Sequence, residues 1–396
     1  MNHVSSTAYG RFVPFELKSG GIRCDKCPGR ADRRLSMSSR QHIRYIVAPD
    51  GTRLACAEAG SGPLLVKAAN WLTHLDYEWE SPIWKHWLQF FSARSRFVRY
   101  DERGCGMSEW KDTPVTLDTW VDDLGAVIDV VRPTEPLTLL GISQGAAVCI
   151  RYTIRHPERV ARLILYGGYA RGAFLRGTAE SQAAYRAMID LARVAWGQDN
   201  PTFRQVFTSR FIPGGTYEQL QWWNDLCRKS VSGEIVVKLF GVRAVVDITG
   251  DLAQVRVPTL VVHARDDQVV PIEEGRLLAA TIAGAEFVEL DSRNHILLHD
   301  EPAWPRFCDA VQSFLQPGAG NLASPFAALS ARERQVLALM TEGLGNTDIA
   351  ERLVISEKTV RNHASNVFDK LGVWSRAQAI VFARDHGFRA QDPSCR

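Results

Sequence analysis

The run Leu137-Thr138-Leu139-Leu140 leads straight into Gly141-Ile142-Ser143-Gln144-Gly145 and then into a helical pattern from Ala146. A strand that becomes a helix over so few residues has to turn sharply. Glycines on both sides of the serine allow that turn, and the hydroxyl then projects from the C-terminal edge of a sheet beside a helix N-terminus. A Gly-x-Ser-x-Gly on its own is a weak signal; in a strand-turn-helix context it is a strong one.

The flanking chain supplies the sheet. Ile43–Val47 and Arg53–Glu58 alternate around Pro49-Asp50-Gly51, the pattern of a hairpin. Pro63–Ala69, Arg96–Asp101, Leu137–Ile142, Ala161–Gly167, Pro258–His263 and Ala285–Leu290 are short and apolar, with helical patterns between most of them. Strands alternating with helices predict an α/β fold around a mainly parallel sheet covered on both faces. From about Arg171 to Asp251 the rhythm stops: helical stretches carry Trp196, Phe203, Phe207, Phe211, Trp222 and Trp223 without a convincing strand. An insertion of that length predicts a helical cap over a site, its aromatics shared between core packing and ligand contact.

A serine hydroxyl is a poor nucleophile until a base takes its proton, and the base needs a carboxylate to orient it. Asp267 follows the Pro258 strand, and His295 follows the Ala285 strand in Asp291-Ser292-Arg293-Asn294-His295. Ser143, Asp267, His295 is the order in which this strand-turn-helix fold supplies such a triad. Asp266 is the rival carboxylate and His299 the rival base.

From about Ile43 to Gln316 the chain resembles the α/β-hydrolase superfamily, and Asp101-Glu102-Arg103-Gly104-Cys105-Gly106-Met107-Ser108 is similar to that family's loop after the fourth strand. The resemblance implies an oxyanion hole formed by the N–H groups of Gln144 and Trp71. Many members have His-Gly where this chain has Ala69-Asn70, so Asn70 stands in place of a glycine.

The C-terminal part has a different grammar. Ser330 and Glu333 have capping-box spacing, which predicts a helix from Ala331, and Gly343 is placed to end it. A second short helix would carry Ile349, Ala350 and Leu353 on one face. A third opens at Ser356, with Ile355 and Val360 spaced as a hydrophobic staple. Along it Val360, Ala364, Val367 and Leu371 recur at helical spacing, which leaves Lys358, Thr359, Arg361, Asn362, Ser365 and Asn366 on the opposite face. Such a helix fits the major groove, where Arg and Asn pair with base edges and Lys holds phosphates.

Leu329-Ser330-Ala331-Arg332-Glu333, Gly343, Asn346, Ile349-Ala350, Ser356, Thr359-Val360-Arg361, His363 and Lys370-Leu371-Gly372-Val373 resemble the LuxR-type DNA-binding domain, over about Phe326 to Phe388. The resemblance implies a helix-turn-helix at about 346–365 and a recognition helix from Val360 to Lys370. It implies double-stranded DNA as partner, with Lys358, Thr359, Arg361, Asn362, Ser365 and Lys370 toward it. A fourth helix, Ser375 to His386, would pair two copies as a homodimer.

The domain plan is then a basic extension over 1–40, an α/β-hydrolase-like domain over 41–316 with its cap at about 171–251, a linker over 317–325, and a small all-α LuxR-type domain over 326–389. At 396 residues, 45% hydrophobic and 23% charged, the chain is ordinary for a globular protein of this plan. Residues 1–40 carry eight Lys/Arg against three Asp/Glu, and 326–389 carry nine against seven. Of the net +3 the middle therefore holds about −4 and is not a nucleic-acid surface. Met37 offers an alternative start.

No apolar run approaches the roughly 18 residues that cross a bilayer, and no secretory signal opens the chain, so no membrane association and a cytoplasmic location are expected. The eight cysteines read as reduced thiols, and Cys24-Asp25-Lys26-Cys27 lacks the second pair that a zinc site needs, so neither a metal nor a cofactor is expected. Two functions fit: a DNA-binding transcription regulator whose hydrolase-like domain senses a small acyl or aromatic ligand, or an active serine esterase with a DNA-targeting domain attached.

Overall fold

The computed structural model describes residues 41–111, 113–198, 200, 202–316, 326, 329–371, 373, 375–385 and 388. The expected basic extension, Cys24 and Cys27, Met37, the linker over 317–325, Gly372 and His386 lie outside the described residues.

Eight strands form one sheet: β1 His42–Val47, β2 Arg53–Ala59, β3 Leu64–Lys67, β4 Arg96–Tyr100, β5 Leu137–Ile142, β6 Val160–Tyr166, β7 Thr259–Ala264 and β8 Glu286–Leu290. Their order is β1-β2-β4-β3-β5-β6-β7-β8. β1 pairs antiparallel with β2, and β2 with β4; every later pairing is parallel, as in Val66 against Leu139 and Leu139 against Leu163. The hairpin turns where the sequence predicts it. Gly51 takes φ +87°, and the Thr52 N–H donates to Asp50 Oδ1 at 3.0 Å. All six residues of β5 are buried, as a parallel strand covered on both faces requires.

The helices that clothe the sheet are α1 Leu75–Trp79, α2 Lys85–Ser92, α3 Leu117–Val131, α4 Gly145–Arg155, then α5 Ala179–Ala195, α6 Thr202–Phe211, α7 Tyr217–Ser230 and α8 Gly233–Ala244, then α9 Ile272–Thr281 and α10 Ala303–Leu315. α5 to α8 occupy the interval read as a cap. Thr178, Thr216 and Ser232 accept from the N–H three residues on and so begin α5, α7 and α8. The cap aromatics divide. Trp223 is fully buried and Trp196 nearly so, with its indole N–H on Val231 O at 3.2 Å, and Trp222 stacks on Tyr77 at 4.9 Å. Phe207 and Phe211 face a cavity.

A separate apolar cluster joins Phe326, Leu329 and four further helices: α11 Ala331–Thr341, α12 Asn346–Leu353, α13 Glu357–Leu371 and α14 Arg376–Asp385. α11 has the full capping box, Glu333 N on Ser330 Oγ at 3.2 Å and Ser330 N on Glu333 Oε2 at 2.7 Å. It ends in a Schellman motif: Gly343 takes φ +88°, its N–H bonds Met340 O at 3.1 Å, and the Leu344 N–H bonds Leu339 O at 3.1 Å.

Candidate functional site

Ser143 leaves β5 with φ +54°, a left-handed conformation that costs a non-glycine residue energy and persists only where its surroundings enforce it. The enforcement is visible in Gly141. A Cβ there would lie 2.6 Å from Ala146 Cα, so α4 approaches the strand end too closely for any side chain. Gly145 faces Ala69 O at 3.3 Å from the same hypothetical atom, which leaves little room beside β3. Gln144 begins α4, where helical N–H groups have no intrahelical partner.

His295 and Asp267 meet as their order in the chain suggests. His295 Nδ1 donates to Asp267 Oδ2 at 2.6 Å, with side chains 0% and 1% exposed. Asp267 Oδ1 accepts from the N–H groups of Val269 at 2.7 Å and Val270 at 2.9 Å. Burial, the largest influence on that carboxyl, would raise it. His295, His263 and the Val270 N–H together hold it below the ordinary carboxylate range. His295 Nε2 is buried and has no hydrogen-bond partner among the described residues, Ser143 Oγ included. Gly167, at φ +54° after β6, makes room: a Cβ there would come within 3.1 Å of His295 Cε1. Asp266 is exposed, and His299 packs on His86 at 5.5 Å instead.

The cap holds this loop. Phe211 O, at the end of α6, accepts from His295 N at 2.8 Å, its ring meets the imidazole edge-on at 5.5 Å, and Gly214 N donates to Asn294 Oδ1 at 2.8 Å. These contacts join the end of α6 and the turn after it to the loop that carries the histidine.

At the end of β3, Lys67 is 5% exposed and gives its ammonium to Asn70 Oδ1, while Asn70 Nδ2 donates to Trp71 O at 3.0 Å. Burial pushes Lys67 down to about 8. Asn70, standing where many members have glycine, is thus a link between a buried lysine and the backbone of Trp71. Trp71 and Ser143 line one cavity of about 560 Å³, its open mouth included, with Phe240 at 4.5 Å from the Trp71 ring.

Among the lining residues that the sequence reading passed over are three arginines, Arg176, Arg210 and Arg243. One signal was available. Val236, Phe240 and Arg243 share a helical face of α8, so an arginine sits on an otherwise apolar stripe. Glu102, in the loop after β4, receives the Arg243 guanidinium, while Arg103 beside it makes two bonds to Asp123 at 2.7 and 2.6 Å.

In the C-terminal helices Val360, Ala364, Val367 and Leu371 are buried, and Lys358, Arg361, Asn362, Ser365 and Asn366 are exposed on the other side of α13. Thr359 is half-buried, its hydroxyl 2.8 Å from Ser356 Oγ. Lys370, also in the expected DNA-facing set, is exposed, and its ammonium donates to Glu333 Oε2 at 2.7 Å, which ties α13 to α11. Between α12 and α13 the chain turns at Val354, φ +52°, with Ile355 N on Ala350 O at 3.0 Å.

Residues 88–302 match the family model described as serine aminopeptidase, S33, and residues 327–383 that of bacterial regulatory proteins, luxR family. The chain is 27% identical over 265 residues to AB hydrolase superfamily protein YisY of Bacillus subtilis, covering 65% of this chain and 94% of the relative. It is 32% identical over 148 residues to transcriptional regulatory protein LiaR of the same organism, covering 37% and 70%. An esterase from Exiguobacterium antarcticum has the same fold, with a TM-score of 0.59 at 24% identity over 69% of this chain and 99% of that one.

Proposed function

The chain belongs to the serine aminopeptidase, S33 family and ends in a domain of the luxR family of bacterial regulatory proteins, and from that premise we propose a DNA-binding transcription regulator whose large domain senses a small acyl or aromatic ligand. The observation that carries this reading is the split of α13 into a buried apolar stripe and an exposed polar, cationic face. In the major groove Arg361, Asn362 and Ser365 would meet base edges, and Lys358 with the helix N-terminus would hold phosphates. Double-stranded DNA is then the partner and the cytoplasm the place of work. α14 leaves Val381 46% exposed, which suits a helix that pairs two copies.

Sensing needs a ligand that binds two states differently. The bonds from Phe211 O and Gly214 N to the His295 loop supply an element for such a change, since a molecule lodged beneath α6 shifts both at once.

The His295–Asp267 pair favours a second reading, catalysis. Ser143 Oγ would attack an acyl carbonyl while His295 Nε2 takes its proton, and the N–H groups of Gln144 and Trp71 would bind the oxyanion. His295 would return the proton to the leaving group, and water would then release the acid. Neither reading requires a metal or a cofactor.

One experiment addresses both: the full chain, wild type and Ser143→Ala, is tested for DNA shift and for turnover of short-chain aryl esters. A sequence-selective shift is expected, relaxed at one base by Arg361→Ala and weakened for all sequences by Lys358→Ala. No selective shift in either protein would sink the regulator. Turnover present in the wild type and lost in Ser143→Ala establishes hydrolysis; an inert wild type with a ligand-dependent shift leaves sensing alone.

A further inference from the structure

The cavity that Ser143 lines contains three arginines and, among the described residues lining it, no carboxylate. Arg176 is fastened to Arg171 O at 2.8 Å and lies over the Tyr169 ring at 4.6 Å. Arg210 is fastened to Gln268 O at 3.1 and 2.8 Å. Neither is within ion-pairing distance of a carboxylate among the described residues.

Arg243 is the most informative of the three. It is 6% exposed and lies against two indoles, 4.9 Å from the Trp71 ring and 5.1 Å from that of Trp120. Its Nη2 donates to Glu102, but Nε and Nη1 are buried with no acceptor among the described residues. A buried guanidinium N–H left unfilled is costly, and folded chains rarely keep one without a use. Arginine is also suited to a buried oxyanion, since it is always charged and weakly hydrated. Phe207, Phe211, Phe240 and the Trp71 ring give the cavity apolar walls, and Ser143, Tyr169 and Tyr185 add hydroxyl-bearing side chains.

We infer that the ligand is an acyl or aryl compound carrying a carboxylate, read by Arg243 from the floor of the cavity with Arg176 and Arg210 supplying further positive charge. Glu102 pairs with Arg243 and fixes its direction, so the protein itself sets the guanidinium in place. The inference rests on the cavity being the ligand site proposed above.

The test uses full-length Ser143→Ala protein, which consumes nothing. Phenylacetate, benzoate and hexanoate are titrated calorimetrically beside their methyl esters. The acids should bind at least tenfold tighter than the matched esters. A double variant, Arg243→Gln with Glu102→Gln, leaves no buried charge unpaired; it should bring the acids to the esters' affinity and leave ester binding and far-UV circular dichroism unchanged. Should the double variant fold poorly, Arg243→Lys, which keeps the pairing with Glu102, should show the same loss of acid preference. Esters binding as well as acids, or neither binding at millimolar concentration, overturns the inference. So does equal loss of acid and ester in a folded variant, which would make Arg243 a prop for the cavity wall. Acid binding that leaves the DNA shift unaltered would sink ligand sensing and leave this inference standing. A DNA shift that responds to the methyl esters as strongly as to the acids would do the reverse.

Discussion

Ser143 and Val354 both hold left-handed backbone, at φ +54° and +52°, in the two parts of the molecule where function is proposed. Their surroundings are opposite. Ser143 is 7% exposed and wedged between Gly141, against α4, and Gly145, against β3, so packing dictates its conformation. Val354 is 90% exposed and is held by turn hydrogen bonds after α12. The same strain is enforced by a packed core in one place and by a local turn in the other. The cavity region is therefore expected to respond to small volume changes, and the helix-turn-helix to changes in single hydrogen bonds and ion pairs.

The largest expected effect tests the packing half of that contrast. Gly141→Ala places a methyl group 2.6 Å from Ala146 Cα and 2.8 Å from Ala146 N, both main-chain atoms that can yield only by moving α4. We expect a loss of about 3 kcal/mol from the hydrolase-fold transition, at the upper end of ordinary overpacking. Gly145→Ala, at 3.3 Å from Ala69 O, should cost about 1 kcal/mol. Denaturant titrations that rank the two variants the other way would remove the wedge as the source of the Ser143 conformation.

The next effect is electrostatic and belongs to the other region. Burial alone would raise the Glu333 carboxyl, but the Lys370 ammonium with the Ser330 N–H and hydroxyl hold it at about 2 against an ordinary 4.5. Between those values the unfolded chain binds the extra proton, so stability rises with pH there. The contribution is complete above about 4.5 and is lost as pH falls toward 2. Glu333→Gln should lower the helix-turn-helix transition of the full chain by about 1–2 kcal/mol at pH 7. Calorimetry should show the gap to wild type closing below pH 4.5; a gap that persists at pH 2 would mean that shape, not charge, holds α11 to α13.

How far the sequence discloses each region follows the same division. The helix-turn-helix lies in one continuous stretch, so spacing alone reveals the capping box at Ser330, the Gly343 terminus and the buried stripe of α13. Ser143, Asp267 and His295 are also legible, because each follows a strand whose apolar pattern is plain. What stays hidden depends on tertiary approach. The bond from Lys370 to Glu333 joins α13 to α11 across 37 positions, which no local spacing discloses. Arg243 draws no attention until the loop after β4 delivers Glu102 across 141 positions and Trp71 covers it. Val354 escapes for a different reason: Leu353-Val354-Ile355 looks like apolar continuity, and a β-branched residue is among the least expected in left-handed backbone.

Val354 also yields the smallest expected effect and the sharpest test of the comparison. Left-handed backbone costs a residue with a side chain roughly 1–2 kcal/mol, and glycine escapes that cost but loses more freedom on folding. With its side chain 90% exposed, Val354 has little burial to lose. Val354→Gly should therefore stabilise the helix-turn-helix by about 0.5–1 kcal/mol, seen as a rise of a few degrees in its calorimetric transition, with DNA affinity kept. If the transition falls instead, the valine side chain contributes to the turn between α12 and α13. Val354 would then resemble Ser143 in being held by its neighbours, and the contrast between the two regions would fail at the residue that most clearly expresses it.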